Sequence, residues 1–486
     1  MYVNEFIKHL GYDPMAHTQF ISNIMLWRQW YKGKVDNFHN YSVYNGCKDV
    51  KLSRLSLQIP KFISEKMADL LFNEKVNINL GTEKDSYILN KILSDNNFHL
   101  LMNRAIEKSF AMGTGCIVVN IDNIVMDEGQ KALFSNAKVS LTYIDAEHIY
   151  PLSWDNNGIK ELAIIRYEKI STGQFRCIIT LHILNEVGNY VIRNYQFITD
   201  NNKNIIGNYE KEAFVSEFDT KSNIKWFSII QPNIINNINM ASPYGISIFA
   251  NSIEVIKGID IIYDSFINEI QLGRKRLFTT KEVLRFNATT GQNEFNFDPN
   301  DIIFHVLGDS FSEGDTAKNY IQEVNGALRI NEHINALDSN LRILGAKMGF
   351  GTDYFTFDKK ALQPKTATQV ITENNELFRT IKKHEILLEK AVKQIVEAIG
   401  YIGKLTGLFS IDTSSLFIQF DDSIIESKEQ ERGEDREDLA QNTLSRVDYV
   451  MKWRNLDRES AEIKIREIDG EEPAKESIHF VEGEIN

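Results

Sequence analysis

The sequence predicts an α+β fold in which helical and β-rich stretches alternate along the chain. Three observations carry this. The first 110 residues and much of the chain beyond residue 245 space their apolar side chains three and four apart, as amphipathic helices do. Residues 115–230 instead hold β-branched and aromatic runs separated by turn signals. The length, 486 residues with 29 Phe and 18 Tyr, exceeds what one core usually serves, so two or more structural units are expected.

Taken in order, ISEKMADLLFNEKVNI (63–78) sets Ile63, Met67, Leu70, Leu71 and Phe72 near one helical face, with Lys66, Asp69 and Asn73 off it. VSLTYID, ELAIIRYEKI, FRCIITLHIL and YVIRNYQFIT are strands of an antiparallel region, with turns at Asn156-Asn157-Gly158 and Ser171-Thr172-Gly173. A long helix follows over 245–272, with Pro243 near its start and Ile248, Ser252, Val255, Ile259, Ile262, Phe266 and Ile270 at helical spacing. It would span about 42 Å at 1.5 Å per residue. A β-rich insert comes next: RLFTTKEVLRF, the turn NATTGQ, NEFNF and DIIFHVL. A second helix, 319–348, carries Ile321, Val324, Leu328, Ile334, Leu337, Leu341 and Leu344. Gly349, Gly351 and Pro364 break it, because glycine opens backbone shapes closed to other residues and proline disfavours helix just before it. A third helix, 367–400, has Thr366 or Thr368 as its cap. LFSIDTSSLFIQF (408–420) is strand-like, and 426–475 is charged and helical.

Composition excludes several classes. The chain is 43% hydrophobic and 25% charged, as soluble globular proteins are. No run approaches the roughly 18 apolar residues of a membrane helix. The start, MYVNEFIKHLGYD, interrupts its apolar residues with Glu5, Lys8 and Asp13, unlike a signal peptide. Cys47, Cys116 and Cys177 are odd in number and have no metal-ligand spacing, which implies reduced thiols. The net charge of −13 is uneven: residues 421–486 hold 20 Asp/Glu against 10 Lys/Arg, leaving −3 for the rest. A protein that grips phosphates is basic, so any contact with DNA is transient or local.

At the level of ordered blocks the chain resembles the portal proteins of siphophages infecting Gram-positive bacteria. The blocks are SEKMADLLFNEKVNI (64–78), GISIFANSIEVIKGIDIIYDSFINEIQLGRKRLF (245–278), IQEVNGALRINEHINALDSNLRILGAKMGFG (321–351), KTATQVITENNELFRTIKKHE (365–385) and FDDSIIESKEQERGEDREDLAQNTLSRVDYVMKW (420–453). The resemblance implies a portal fold, with a wing over 1–244, a first stem helix over 245–275 and a clip over 276–318. A second stem helix over 319–348, a tunnel loop over 349–366, a tunnel helix with returning wing strands over 367–425, and an acidic crown over 426–486 complete it. It implies a homododecameric ring at one capsid vertex, conducting double-stranded DNA and using no cofactor. The implied partners are terminase, the major capsid and scaffolding proteins and a head-completion adaptor, with no membrane. The expected location is the virion, and the host cytoplasm during assembly. Head-to-tail contacts must close into a ring or polymerise.

Two basic groups are candidate sites. Lys359, Lys360 and Lys365 lie in or beside the loop bracketed by Gly349, Gly351 and Pro364, where copies would converge on one axis around a duplex carrying one charge per roughly 1.7 Å. That loop could instead fold inward as a packed hairpin on Tyr354, Phe355 and Phe357. Arg274, Lys275 and Arg276 form a patch at the stem–clip junction that either touches phosphates or an adaptor, or is a solvated helix end favoured by the dipole.

Three motifs point to enzymes and each is incomplete. GDSFSEG (308–314) resembles the nucleophile block of GDSL-type esterases with Ser310 as nucleophile, but no D-x-x-H follows it to supply the base. Asp145-Ala146-Glu147-His148 has the spacing in the wrong order. His384-Glu385 begins a zinc motif that ends on Leu388, and Gly403-Lys404 lacks the rest of a phosphate loop. The expectation is no enzyme. The rival readings are that esterase or a capsid-associated structural protein other than the portal.

Overall fold

In the computed structural model of the chain, the described residues are 2–73, 76–123, 125–126, 132–134, 137–209, 215–273, 276–279, 284–289, 291–295, 304–306, 321–324, 327–355, 367–420, 428–441, 443–454 and 458–470. They fall into two compact units, Met1–Phe420 and Asp421–Asn486. Thr366, Lys359, Lys360, Lys365, Arg274, Lys275 and Ser310 lie outside the described residues.

The first unit begins with helices α1 (Val3–His9), α2 (Met15–Tyr31) and α3 (Asp36–His39) and the hairpin β1 (Asn40–Tyr44) and β2 (Asp49–Ser53). Helix α4 (Ile59–Leu71), strand β3 (Asn77–Asn79) and helices α5 (Glu83–Asp95) and α6 (Phe98–Met112) follow. α4 buries Ile63, Met67, Ala68 and Leu71, one face at helical spacing. The helix expected to run to 78 stops at Leu71. Phe72 turns to extended backbone there, and the β-branched Ile78 serves the strand instead. Thr82 caps α5 by accepting from the Asp85 N–H at 3.1 Å, with Glu83 and Asp85 in the first turn.

Strands β4 (Gly115–Asp122), β5 (Val125–Met126), β6 (Ala132–Leu133), β7 (Lys138–Asp145), β8 (Ile149–Asp155), β9 (Gly158–Ser171), β10 (Gln174–Leu184) and β11 (Tyr190–Asp200) build the β region. β12 (Ile205–Asn208), β13 (Glu217–Asp219) and β14 (Phe227–Ile230) complete it. One antiparallel sheet runs β12-β11-β10-β9-β8, with β13 also on β11, and a second runs β14-β4-β7. The two expected turns fall between β8 and β9 and between β9 and β10. Strand β9 is buried on both faces over Leu162–Ile165. Ala163 and Ile165 pack with Val3 and Ile7 of α1, while Leu162 and Ile164 pack with Val118, Ile144 and Phe227 of the second sheet. A strand covered on both sides needs an unbroken apolar run, which Leu162–Ile165 provides.

Three buried histidines give this body an acid sensitivity. His17 stacks on Tyr150, His182 meets the edge of Phe227, and His384 meets Phe110. Burial pulls each down to about 4 from the ordinary 6.5. Both ring nitrogens of His182 find no partner among the described residues. Below pH 6.5 the unfolded chain takes up protons that the folded chain refuses until about pH 4, so stability is full above that window and falls through it. Each histidine contributes a loss of about 2 kcal/mol between pH 7.5 and 5. The urea midpoint is expected to drop over that interval, and less so in His182→Leu. A midpoint independent of pH would contradict the assignment.

Helix α7 (Ile253–Leu272) opens the second half, after a short 3₁₀ turn over Ala250–Ser252. It starts later than the expected 245. The Gly245 N–H is spent on the Thr114 hydroxyl and the Ile248 N–H on the Phe110 carbonyl, at 3.0 and 2.9 Å. Gly113, at φ +83°, and Gly245 lie backbone to backbone, so a Cβ on either would strike the other's backbone. Strands β15 (Arg276–Thr279), β16 (Leu284–Asn287), β17 (Gln292–Phe295), β18 (Phe304–Val306) and β19 (Ile321–Val324) follow α7. β16 and β17 form a hairpin, and β15 pairs parallel with β18 and antiparallel with β19. The second helix expected over 319–348 is therefore strand at its start. Helix α8 covers Ile330–Met348 and packs on α7, where Phe266 meets His333 at 5.5 Å. Helix α9 (Ala367–Thr406) is 40 residues long, about 60 Å at 1.5 Å per residue. It buries Leu388, Val392, Ile395, Val396, Ile399 and Ile402 against β14, β4 and α4. Strand β20 (Phe417–Gln419) pairs with β3.

The second unit consists of α10 (Lys428–Ala440), α11 (Arg446–Arg454) and α12 (Arg458–Gly470). Asp435 organises it, receiving the Trp453 indole N–H and the Lys452 ammonium, both at 2.7 Å. The Lys452 contact comes first in holding its carboxyl below the usual range.

Candidate functional site

The α7–α8 pair carries chemistry at both ends. At the C-terminal end of α8, Gly349 takes the left-handed conformation that ends a helix (φ +72°), and the Phe350 N–H returns to the Gly345 carbonyl at 2.9 Å. Phe350 is buried against Tyr354 and Phe355, and Phe355 reaches Phe62 of α4. Arg342 bridges Asp338 and Asp353 at 3.0 and 3.2 Å. A Cβ on Gly345 would strike the Gly351 carbonyl, and one on Gly349 would strike Thr380 of α9. Gly349 and Gly351 thus sit in a packed turn over 349–355 that anchors the start of the lysine-bearing segment. The three lysines belong to residues 356–366, outside the described residues.

At the other end, one carboxylate closes the strand insert. Glu269, in the last turn of α7, accepts from the Arg329 backbone N–H at 2.8 Å, from its guanidinium at 2.9 Å and from His333 Nε2 at 2.6 Å. The Arg329 hydrogen bonds, then that of His333, hold the Glu269 carboxyl down at about 2. Both residues at the foot of α8 are thereby tied to the end of α7, across the whole of β15–β19. Of the expected basic patch, Arg276 lies in β15 opposite Val324. Sequence reasoning missed this clasp. Its signal was an acid in the last turn of a helix, where the dipole opposes negative charge and a cationic partner is required.

The enzyme-like motifs meet structural partners where they are described. Asp145 faces Lys108 at 3.6 Å and His148 faces Glu147 at 3.4 Å. His384 Nδ1 accepts from the Asn233 N–H at 3.0 Å, and Glu385 pairs with Lys382 at 3.0 Å. Gly403 lies inside α9 against the Phe409 ring. Among the described residues no group of three or more His, Cys, Asp or Glu is arranged to hold a metal ion, and no helix is long and apolar enough to cross a membrane.

The family described as phage portal protein, SPP1 Gp6-like, covers residues 11–432, and the chain belongs to it. Members are structural head–tail connector proteins of bacteriophage virions, not a class of enzymes. A solved structure, the neck of a native GTA particle computed with C12 symmetry, is similar over 81% of this chain and 89% of its own, at 10% identity and a TM-score of 0.38. No curated protein matches.

Proposed function

We propose that this chain is the portal subunit of a siphophage infecting a Gram-positive host, twelve copies of which form a DNA-conducting ring at one capsid vertex. Family membership over residues 11–432 carries the reading. In it, 1–244 is the wing, α7 and α8 are the stem, 276–318 is the clip that docks the head-completion adaptor, and 349–366 is the tunnel loop. α9 is the tunnel helix, and 426–486 is the crown, whose acidity keeps packed DNA from sticking. Terminase and the capsid and scaffolding proteins are the remaining partners. Negative-stain imaging of the purified protein tests this: rings with a central hole are expected, and shells, fibres or persistent monomers would overturn it.

The lysines carry a separate expectation. With twelve copies converging, Lys359 and Lys360 place cations against the duplex without trapping it. Lys359→Glu combined with Lys360→Glu is expected to leave ring assembly intact and to reduce packaged DNA severalfold, measured as nuclease-protected genome per particle. Wild-type packaging and retention by that variant would remove the lysines from the channel.

A further inference from the structure

A cavity lies where α9 crosses the β8–β9 turn. It encloses about 60 Å³ and is lined by Asn157, Ile159, Lys225, Gln231, Lys390 and Gln394, among others. One water needs about 10–15 Å³, so there is room for several waters or one small polyatomic ion. Two ammonium groups converge on it. Lys225 Nζ donates to the Ile159 carbonyl at 2.7 Å, and Lys390 Nζ donates to the Asn157 carbonyl at 3.0 Å. An ammonium has three donors, so each lysine has N–H groups beyond these bonds.

The electrostatics are unusual for an acidic chain. Lys160 stands nearby and is bridged to Asp155 at 3.0 Å, so the three lysines and one aspartate leave a local excess of two positive charges. Burial, then the neighbouring Lys390, depresses the Lys225 ammonium, and the opposing pull of Asp155 does not cancel this. The Gln231 side-chain oxygen, on the same wall, is buried and finds no partner among the described residues. An amide's oxygen and nitrogen exchange places by a flip, which turns that position into a further donor.

We infer that this cavity is a binding site for a small tetrahedral oxyanion of the phosphate or sulfate type, held between Lys225 and Lys390. The anion offers several acceptors to the two ammonium groups and to the Gln231 amide, and it relieves their repulsion with charge-assisted hydrogen bonds. Its effect is to lock α9 to the β8–β9 turn.

Inorganic phosphate is the probe. Thermal unfolding of the full chain is followed in rising phosphate at constant ionic strength, balanced with chloride. The melting temperature is expected to climb by several degrees and to saturate. Lys390→Gln, at an exposed position and therefore safe for folding, is expected to weaken the apparent affinity tenfold or more, and Lys390→Arg to retain most of it. A short DNA duplex at the same total phosphate is expected to give no such rise. The inference is overturned if phosphate does no more than chloride, if Lys390→Gln responds as wild type does, or if duplex stabilises the chain and free phosphate does not.

Discussion

Replacing Asp260 by alanine is expected to destabilise the first unit by about 3–5 kcal/mol. Asp260 is fully buried on α7. It accepts from the Leu57 N–H at 2.9 Å, from the Ser56 hydroxyl at 3.0 Å and from His39 Nε2 at 3.2 Å. His39 Nδ1 accepts from the Val35 N–H at 2.9 Å, so Nε2 bears the proton. One turn along, Asp264 accepts from the Leu55 N–H at 3.0 Å. Residues 55–57 form no helix or strand, so their backbone donors depend on these acids. Alanine strands three donors in the interior, each worth about 1–3 kcal/mol when unmet. Asparagine keeps one acceptor and is expected to lose about half as much. Urea unfolding measures both; a loss below about 1 kcal/mol for alanine would show that the segment finds other partners.

Deleting residues 280–310 is expected to abolish attachment of tails while rings still form. The deletion removes β16, β17 and β18 but spares the β15–β19 pairing and the Glu269 clasp with Arg329 and His333. The α7–α8 pair therefore stays closed below the excised part. Heads carrying the deletion should package DNA and lack tails in micrographs, with infectious titre falling by orders of magnitude. Normal tailed, infectious particles would remove this insert from the docking role. Loss of rings would instead place it in subunit contacts.

Periodicity shows where the long helices lie, but less well which face they bury. On α7 the deepest positions are Ile256, Ile259, Asp260 and Asp264, while Ile270, part of the expected stripe, is 41% exposed. Hydrophobicity cannot mark a buried acid whose partners lie some 200 residues earlier, at 39 and 55–57. The same limit explains the two misplaced helix starts. Residues 245–249 have helical spacing, yet the Gly245 N–H is taken by Thr114, just past α6, and the Ile248 N–H by Phe110 of α6, while Ile321–Val324 is claimed by β15. Local signals were sufficient where the partner was close. The Asn156–Gly158 and NATTGQ turns fall between paired strands, because a hairpin's register is set by its own turn. At the candidate site the glycines were legible as helix breakers. The aromatic packing that fixes them in a tight turn, with Phe62 and Thr380 brought in from other helices, was not.

The pairing of β3 with β20 also sets an order of events during synthesis. Ile78 lies opposite Ile418, so the ribosome must add about 340 more residues, roughly 17–70 s of elongation at 5–20 residues per second, before the partner strand exists. Until then the N-terminal helical body carries an unpaired strand edge, a template for wrong partners. A nascent chain arrested before residue 417 never closes that edge. Such fragments should therefore depend on chaperones or aggregate, even though almost every helix of the first unit has already been made.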